Sequence, residues 1–285
     1  MSTSVQTEQP GSSLNVQQVV KWTVYSLLLV NFAYYILEDW HRASLSLPEA
    51  ASVLQWAGAF ATSIDELGWF ILLFMFELET YILEDEKWTS RMSKVVHGVR
   101  FLCMILLAHT VFAYSQAFLE LRSVSDPAPI QTLCDIQATN ASYVFNLEYT
   151  AITASNCSKL SEATTFYAIP NSPVFTDAAG LRLEKRMGYV DLWDAISWLL
   201  VVLTIEIMVR LQERGVTRGA TMRALKVAKS VFYSVLLVDA AFWAYHGHWV
   251  YCWDQLLWIG GFAAIELNLA NWREELMGQS DAAGG

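Results

Sequence analysis

Long apolar stretches separated by shorter polar segments dominate the pattern of hydrophobic and polar positions along this chain. Each stretch approaches the ~20 residues that a helix rising 1.5 Å per residue needs to cross ~30 Å of hydrocarbon. The approximate bounds of the stretches are 19–37, 65–83, 101–121, 189–211, 227–245 and 250–271. The pattern therefore predicts an all-α, polytopic membrane bundle with six transmembrane helices, one for each stretch.

The composition agrees with a membrane protein. Hydrophobic residues make up 54% of the chain and aromatic residues 13%, and the mean hydropathy is +0.32, which is too apolar for an ordinary soluble domain. The net charge of −10 excludes a nucleic-acid partner, because no basic stripe is present to neutralise phosphates. Membrane lipids are the expected surroundings, and the sequence is compatible with a homo-oligomer.

Basic residues indicate how the chain is oriented in the cell membrane. They cluster in the connection between the second and third stretches and in the connection between the fourth and fifth: Lys87, Arg91, Lys94 and Arg100 in the first, and Arg210, Arg214, Arg218, Arg223, Lys226 and Lys229 in the second. Because positively charged loops remain on the cytoplasmic side, both termini are predicted to be cytoplasmic.

The predicted spans divide the chain into five segments. The order is a cytoplasmic tail, helices one to three, an extracytoplasmic loop, helices four to six, and a second cytoplasmic tail: 1–18, 19–120, 121–188, 189–271 and 272–285. Cys134 and Cys157 both fall in the extracytoplasmic loop. An oxidising compartment favours a bridge between them, so the sequence predicts a disulfide that closes this loop.

An acidic and aromatic signature, D-x3-W-x7-E, occurs three times in the even-numbered stretches. Its members are Asp65, Trp69 and Glu77, then Asp194, Trp198 and Glu206, and finally Asp254, Trp258 and Glu266. The first and fifth stretches also share a template, K-W-T-V-Y-S-L-L-L-V-N from Lys21 and K-S-V-F-Y-S-V-L-L-V-D from Lys229. These internal repeats predict three related antiparallel hairpins.

The three repeated glutamates lie toward the cytoplasmic third of their spans, flanked by apolar residues. Acids inside a membrane are costly and usually have a function. If Glu77, Glu206 and Glu266 converge on a common interior, they can exchange protons or coordinate a cation. The competing interpretation is that arginines such as Arg210 and Arg273 pair with the glutamates and lock the bundle.

A second polar layer is predicted in the outer half of the odd-numbered spans. It comprises Asn31, His109 and Asp239, at matching positions of the repeat. His109 and Asp239 would form a proton-sensitive pair if they met. The alternative is that each side chain makes an ordinary hydrogen bond between helices.

The repeated Asp and Trp residues form the outermost layer. Asp65, Asp194 and Asp254 are predicted near the outer ends of their helices, with Trp69, Trp198 and Trp258 one turn deeper. An aspartate in a first turn complements the helix dipole, and a tryptophan at headgroup level belongs to the interfacial aromatic belt. This layer therefore has a structural interpretation as well as one in binding or permeation.

The sequence predicts no enzyme, no cofactor and no metal site, because the common catalytic, nucleotide-binding and zinc-binding signatures are missing. The first functional hypothesis is conduction or transport of a small cation or proton through a carboxylate-lined interior. The alternative is a non-transporting scaffold or sensor subunit that binds a partner through its extracytoplasmic loop. A third, an enzyme acting on lipid through Asp239 and His109, would need a lateral opening between helices.

Overall fold

A computed structural model describes residues 16–78, 90–163 and 165–263, and these residues are mostly helical. The helices are α1 (Val16–Ser46), α2 (Val53–Ala59), α3 (Ala61–Glu77), α4 (Ser90–Ser123), the single turn α5 (Cys157–Leu160), α6 (Ala178–Glu213), α7 (Ala220–Tyr245) and α8 (residues 249–263). A short 3-10 helix, Leu133–Ile136, precedes the strands. The prediction of a helical protein is thus confirmed.

Three helices in the described part of the chain are long and apolar enough to cross a membrane. They cover Lys94–Ser123, Ala178–Gln212 and Ala220–Tyr245. A bent pair, Val53–Ala59 with Ala61–Met75, meets the same criterion if it counts as one span with a 71° bend. A membrane protein is therefore supported, whereas the predicted arrangement of six spans in three hairpins is not confirmed.

Two of the helices are much longer than the apolar stretches that predicted them. α4 has 34 residues and α6 has 36, although the apolar stretches covered only 101–121 and 189–211. At 1.5 Å per residue each helix is roughly 50 Å long, against ~30 Å of hydrocarbon. Hydropathy identifies only the part of a helix that fits the bilayer, and both helices continue beyond it as polar segments.

The predicted extracytoplasmic loop contains a small four-stranded sheet, which the sequence analysis missed. Its strands are β1 (Ser142–Phe145), β2 (Glu148–Ala151), β3 (Phe166–Ala168) and β4 (Val174–Asp177), in the order β2-β1-β4-β3. β1 pairs antiparallel with β2 and parallel with β4, and β3 pairs antiparallel with β4. Strands of three or four residues are too short for a period of two to be recognised in the sequence.

The predicted disulfide between Cys134 and Cys157 is present. It lies beside a small apolar core under the sheet, in which Leu133 and Phe166 are fully buried. Because so few apolar residues make up this core, the covalent link supplies much of what keeps the segment folded.

The sheet is joined directly to the helical bundle. Asp177 is the last residue of β4 and the N-cap of α6, and its Oδ1 accepts hydrogen bonds from the backbone N–H groups of Ala179 and Gly180 at 2.8 and 2.7 Å. In the β1–β2 turn, the N–H of Leu147 donates to Glu184 Oε1 at 3.0 Å, and Asn146 Nδ2 donates to the carbonyl of His246 at 3.1 Å. The turn is therefore fixed to both α6 and the end of α7.

Candidate functional site: an acidic cavity with an aromatic floor

The D-x3-W parts of the three repeats converge on one cavity of about 100 Å³. α3, α6 and α8 each contribute an aspartate and a tryptophan to its wall. The wall contains five carboxylates in all: Asp65, Glu66, Asp191, Asp194 and Asp254. Within the described ranges, Arg42 is the one basic side chain that lines it. The cavity is large enough for a few water molecules or one small cation.

The aspartates do not lie in the first turns of their helices, contrary to the structural interpretation of the outer layer. α6 begins at Ala178, so Asp194 lies in the middle of a continuous helix. Asp65 is the fifth residue of α3, which begins at Ala61. A helix dipole acts mainly within the terminal turn and cannot explain an acid in the middle of α6.

The aspartate of each motif copy has a different hydrogen-bond partner. In α3, Trp69 Nε1 donates directly to Asp65 Oδ2 at 3.0 Å. In α6 the link is indirect, because Gln255 Nε2 donates to Asp194 Oδ1 at 2.5 Å and its Oε1 accepts from Trp198 Nε1 at 3.3 Å. Gln255 belongs to α8, so this bridge also joins two of the repeats.

In the third copy, the partner of the aspartate comes from the predicted layer of Asn31, His109 and Asp239. Asn31 Nδ2, on α1, donates to Asp254 Oδ1, on α8, at 2.8 Å, and both residues are buried. This hydrogen bond confirms that Asn31 acts between helices and places it beside the acidic cavity. The residue pair is separated by 223 positions in sequence, so only the folded bundle brings the two together.

The three tryptophans form the floor of the cavity and do not belong to an interfacial belt. Trp69, Trp198 and Trp258 are each at most 7% exposed. The ring centroid of Trp69 lies 5.8 Å from that of Trp198 and 6.3 Å from that of Trp258. Below the rings lies the apolar core of the bundle, which includes Leu28, Leu107, Val201 and Leu236. The aromatic layer thus separates the carboxylates from the rest of the bundle.

Two buried polar side chains on the cavity wall, Glu66 and Trp258, are neighbours that interact only weakly. The Glu66 carboxyl interacts with the Trp258 N–H and with Asp254, but neither Glu66 Oε2 nor Trp258 Nε1 makes a hydrogen bond of good geometry among the residues that the structure describes. Glu66 is 6% exposed and Trp258 is 7% exposed. Buried polar groups are nearly always well satisfied in folded proteins, so this poorly bonded acceptor and donor indicate a position for a bound molecule or ion.

Sequence reasoning missed several residues of this site. Glu66 and Asp191 have no counterparts in the repeat, and Arg42 lies in the outer part of α1, beyond its apolar stretch. Arg42 Nη2 donates to Glu38 Oε1 at 3.1 Å and to the hydroxyl of Tyr251 at 2.8 Å, and Tyr251 also donates to Glu38. A signal was available for Asp191, which lies one turn before Asp194 and therefore on the same face of α6.

The repeated glutamates do not form a second cavity in the described part of the chain. Glu206 is exposed, and its Oε1 accepts from Arg210 Nε at 2.6 Å. This member of the set therefore fits the interpretation as a locking ion pair and does not face the interior. The side chain of Glu77 and the whole of Glu266 lie outside the residues that the structure describes.

His109 and Asp239 do not form the expected pair. Both ring nitrogens of His109 and the Oδ2 atom of Asp239 lack a hydrogen-bond partner within the described ranges. The two residues lie on α4 and α7, which both pack against α6, and equivalent positions in a repeat need not meet. Asp239 is buried, whereas His109 lines a separate groove next to the sheet.

Burial shifts the pKa values of groups outside the spans, among them Tyr149 in the sheet and His248 in the outer turn. Burial raises the pKa of Tyr149, in β2, to about 12. Burial also lowers the pKa of His248, whose ring stacks on Tyr251 at a centroid distance of 5.3 Å. Both groups are therefore uncharged near neutral pH. No group of three or more His, Cys, Asp or Glu side chains suited to a metal ion occurs among the described residues.

Comparison with known proteins adds no assignment. No family model, no curated protein and no solved structure matches this chain. The functional interpretation therefore depends on the geometry and chemistry of the acidic cavity itself.

Proposed function

We propose that this protein is a six-span membrane protein that takes up a small cation or proton from the outer side and conducts or transports it across the cell membrane. Both termini lie in the cytoplasm in this arrangement, and the protein is not an enzyme. The observation that carries the proposal is the convergence of five carboxylates and one guanidinium on a single buried cavity.

The charge balance of the cavity favours a cationic ligand. Several negative charges in a buried site are costly unless a counter-charge is present. The guanidinium of Arg42 already pairs with Glu38, which does not line the cavity. A cation or protons are therefore needed to neutralise the remaining carboxylates, and the site attracts positive charge from solution.

The aromatic floor favours a gated process and argues against a permanently open pore. Trp69, Trp198 and Trp258 pack against one another and against Phe262, whose ring centroid lies 5.4 Å from that of Trp198. An ion in the cavity cannot continue inward until these rings separate. The arrangement corresponds to the outward-facing state of a transporter or to the closed state of a channel.

A sensor or scaffold is the second candidate, and one observation favours it. The β1–β2 turn reaches the cavity, since Leu147 lines the wall and donates its N–H to Glu184. A partner bound to the sheet would therefore act on the cavity through this contact. In that case the acids stabilise the bundle and no ion crosses.

The decisive experiment is ion flux in reconstituted vesicles. The variant carries Asp194→Asn with Asp254→Asn, which removes two charges from the wall and preserves its shape. We expect a loss of proton or alkali-cation flux by at least about tenfold, because binding at the site precedes passage. Glu206→Gln is the matched control, since it removes an exposed acid that does not line the cavity.

The result distinguishes the two candidates. Flux that depends on the cavity acids and not on Glu206 supports transport. Absence of flux in the unmodified protein, together with a lower midpoint of thermal unfolding in the double variant, supports the sensor or scaffold and excludes transport.

A further inference from the structure

We propose that the cavity binds an organic ammonium ion, held between carboxylates and indole rings. This inference deepens the proposed function by naming the class of cation, and it rests on the assignment of the cavity as a cation site. Three observations carry it: the aromatic content of the wall, the two poorly bonded polar atoms, and the groove that adjoins the cavity.

Aromatic side chains form almost half of the cavity wall. Eight of the eighteen lining residues are aromatic: Tyr35, Trp69, Tyr114, Trp198, Trp243, Tyr251, Trp258 and Phe262. Alkyl ammonium ions are attracted to the faces of such rings, and indole is the strongest of the aromatic partners. An alkali cation can bind the carboxylate oxygens of the wall, but it carries no alkyl groups to pack against the aromatic faces.

The poorly bonded polar atoms suit an ammonium ion that brings its own hydrogen-bonding groups. Glu66 Oε2 is a buried acceptor that makes no hydrogen bond of good geometry among the described residues, and it can accept an N–H or form an ion pair with a methylated nitrogen. Trp258 Nε1 is the corresponding poorly bonded donor, and it can donate to a hydroxyl oxygen on the same ligand. Both residues line the cavity, so one small molecule can contact both.

A groove next to the cavity provides a route into it. A second cavity of about 530 Å³ lies between α2, α4 and the sheet, and it shares part of the wall of the acidic cavity. The shared residues are Arg42, Thr62, Tyr114, Leu147 and Asp191. The groove has apolar walls, including Leu54 and Phe112, so it accommodates the carbon atoms of an organic ion. The ligand can come from solution or from the amine headgroup of a lipid.

The test measures binding to the full-length protein in detergent by isothermal titration calorimetry. The probes are choline, methylammonium, K⁺, and 3,3-dimethylbutan-1-ol, which has the shape of choline without its charge. We expect at least one of the two ammonium probes to bind about tenfold or more tightly than K⁺. The neutral alcohol should not bind, because the carboxylates contribute only to a charged ligand.

Variants at Trp258 test the contribution of the aromatic ring. Trp258→Leu should weaken ammonium binding by about tenfold and leave K⁺ unchanged, whereas Trp258→Phe should retain most of the affinity because it keeps a π face. Trp22→Leu is the control, since Trp22 is exposed and does not line the cavity. The midpoint of thermal unfolding without ligand shows whether each variant is folded. If Trp258→Leu does not fold, the four titrations of the unmodified protein decide: tighter binding of an ammonium probe than of K⁺ supports the inference, and equal or weaker binding overturns it.

The outcomes separate this inference from the proposed function. K⁺ or proton flux through the cavity acids, with equal or weaker binding of both ammonium probes, leaves transport intact and overturns the inference. Tight ammonium binding without flux supports the inference and excludes transport. Binding of none of the probes contradicts both. A second arm repeats the choline and methylammonium titrations in vesicles with and without phosphatidylethanolamine, and competition by this lipid identifies a headgroup as the source.

Discussion

The acidic cavity in the outer half of the bundle and the Glu206–Arg210 pair in the inner half differ in what their polar side chains connect. At the cavity, hydrogen bonds join distant segments, as between Asn31 and Asp254 and between Gln255 and Asp194. In the inner half, Glu206 pairs with Arg210 one turn later in the same helix. Ser234 likewise donates to a carbonyl one turn earlier in its own helix.

The contrast shows where the arrangement of the helices is specified. A buried polar group that needs a partner on another helix permits few arrangements, because any displacement leaves it unsatisfied. Asp39 illustrates this: its Oδ2 accepts from the N–H and the hydroxyl of Ser63, at 2.9 and 2.7 Å, and thereby joins α1 to the first turn of α3. The Glu206–Arg210 pair places no such restriction on the bundle, because both of its members belong to one helix.

The largest effect is expected from removing the disulfide. Cys134→Ala with Cys157→Ala should lower the free energy of unfolding of the sheet by about 3 kcal/mol, because the bridge restricts the unfolded chain. Limited proteolysis of the sheet and its thermal unfolding measure the change. Cys252→Ala, which removes a free thiol, is the control. Equal resistance of the double variant and the control to protease would show that the outer end does not depend on this covalent link.

The next largest effect is expected at Gln255. Gln255→Leu should lower the free energy of unfolding by about 2 kcal/mol, because Asp194 and the indole N–H of Trp198 both lose a buried partner. The midpoint of thermal unfolding in detergent is the measurement. Gln116→Leu replaces an exposed glutamine and should have little effect. A Gln255→Leu variant as stable as this control would contradict the importance of polar links in the outer half.

A smaller effect depends on pH and involves His248 in the outer turn. Burial lowers the pKa of His248, and the nearby Arg42 acts in the same direction while Glu38 opposes it. As the pH falls below about 6.5, the unfolded chain takes up a proton that the folded protein does not, so stability decreases. His248→Gln should therefore reduce the loss of stability between about pH 7 and pH 5. The midpoint of thermal unfolding, measured as a function of pH, tests this prediction. His41→Gln, which replaces an exposed histidine, is the control. The same dependence of the midpoint on pH in both variants would contradict the prediction.

The smallest effect is expected in the inner half. Glu206→Gln should change the free energy of unfolding by less than about 0.5 kcal/mol, because the Arg210 pair is exposed, lies close to the C-terminal end of α6 and joins no second helix. The effect should decrease further at high salt, which thermal unfolding at two ionic strengths would measure. A loss as large as that for Gln255→Leu would remove the distinction between the two halves.

The sequence predicted the elements of the candidate site better than their arrangement. The D-x3-W repeat identified six of the cavity residues, and the cysteine pair identified the disulfide, because each depends on residue identity and spacing alone. Glu66, Asp191 and Arg42 could not be assigned in this way. Their position at the cavity follows from how helices pack, and no periodicity in one segment encodes the faces of its neighbours.

For Glu206 the structure agrees with the interpretation as a pair with Arg210, whereas His109 and Asp239 do not meet. Equivalent residues of a repeat need not converge, because equivalence in sequence fixes only depth and face along each helix. Glu206 lies eight residues, or about 12 Å, beyond Trp198 on α6, and it is therefore too deep to reach the cavity. The four-stranded sheet was missed because its strands are short and its core contains few residues.

The continuity of α6 has a mechanical consequence. The helix begins at Ala178, directly after the last residue of the sheet, passes the cavity at Asp191 and Asp194, and extends without a break to Glu213. When one end of such a continuous helix tilts, the other end moves with it. Any force that rocks the sheet must displace the basic connection at the opposite end of α6, and it must also change the spacing of the cavity carboxylates on the way.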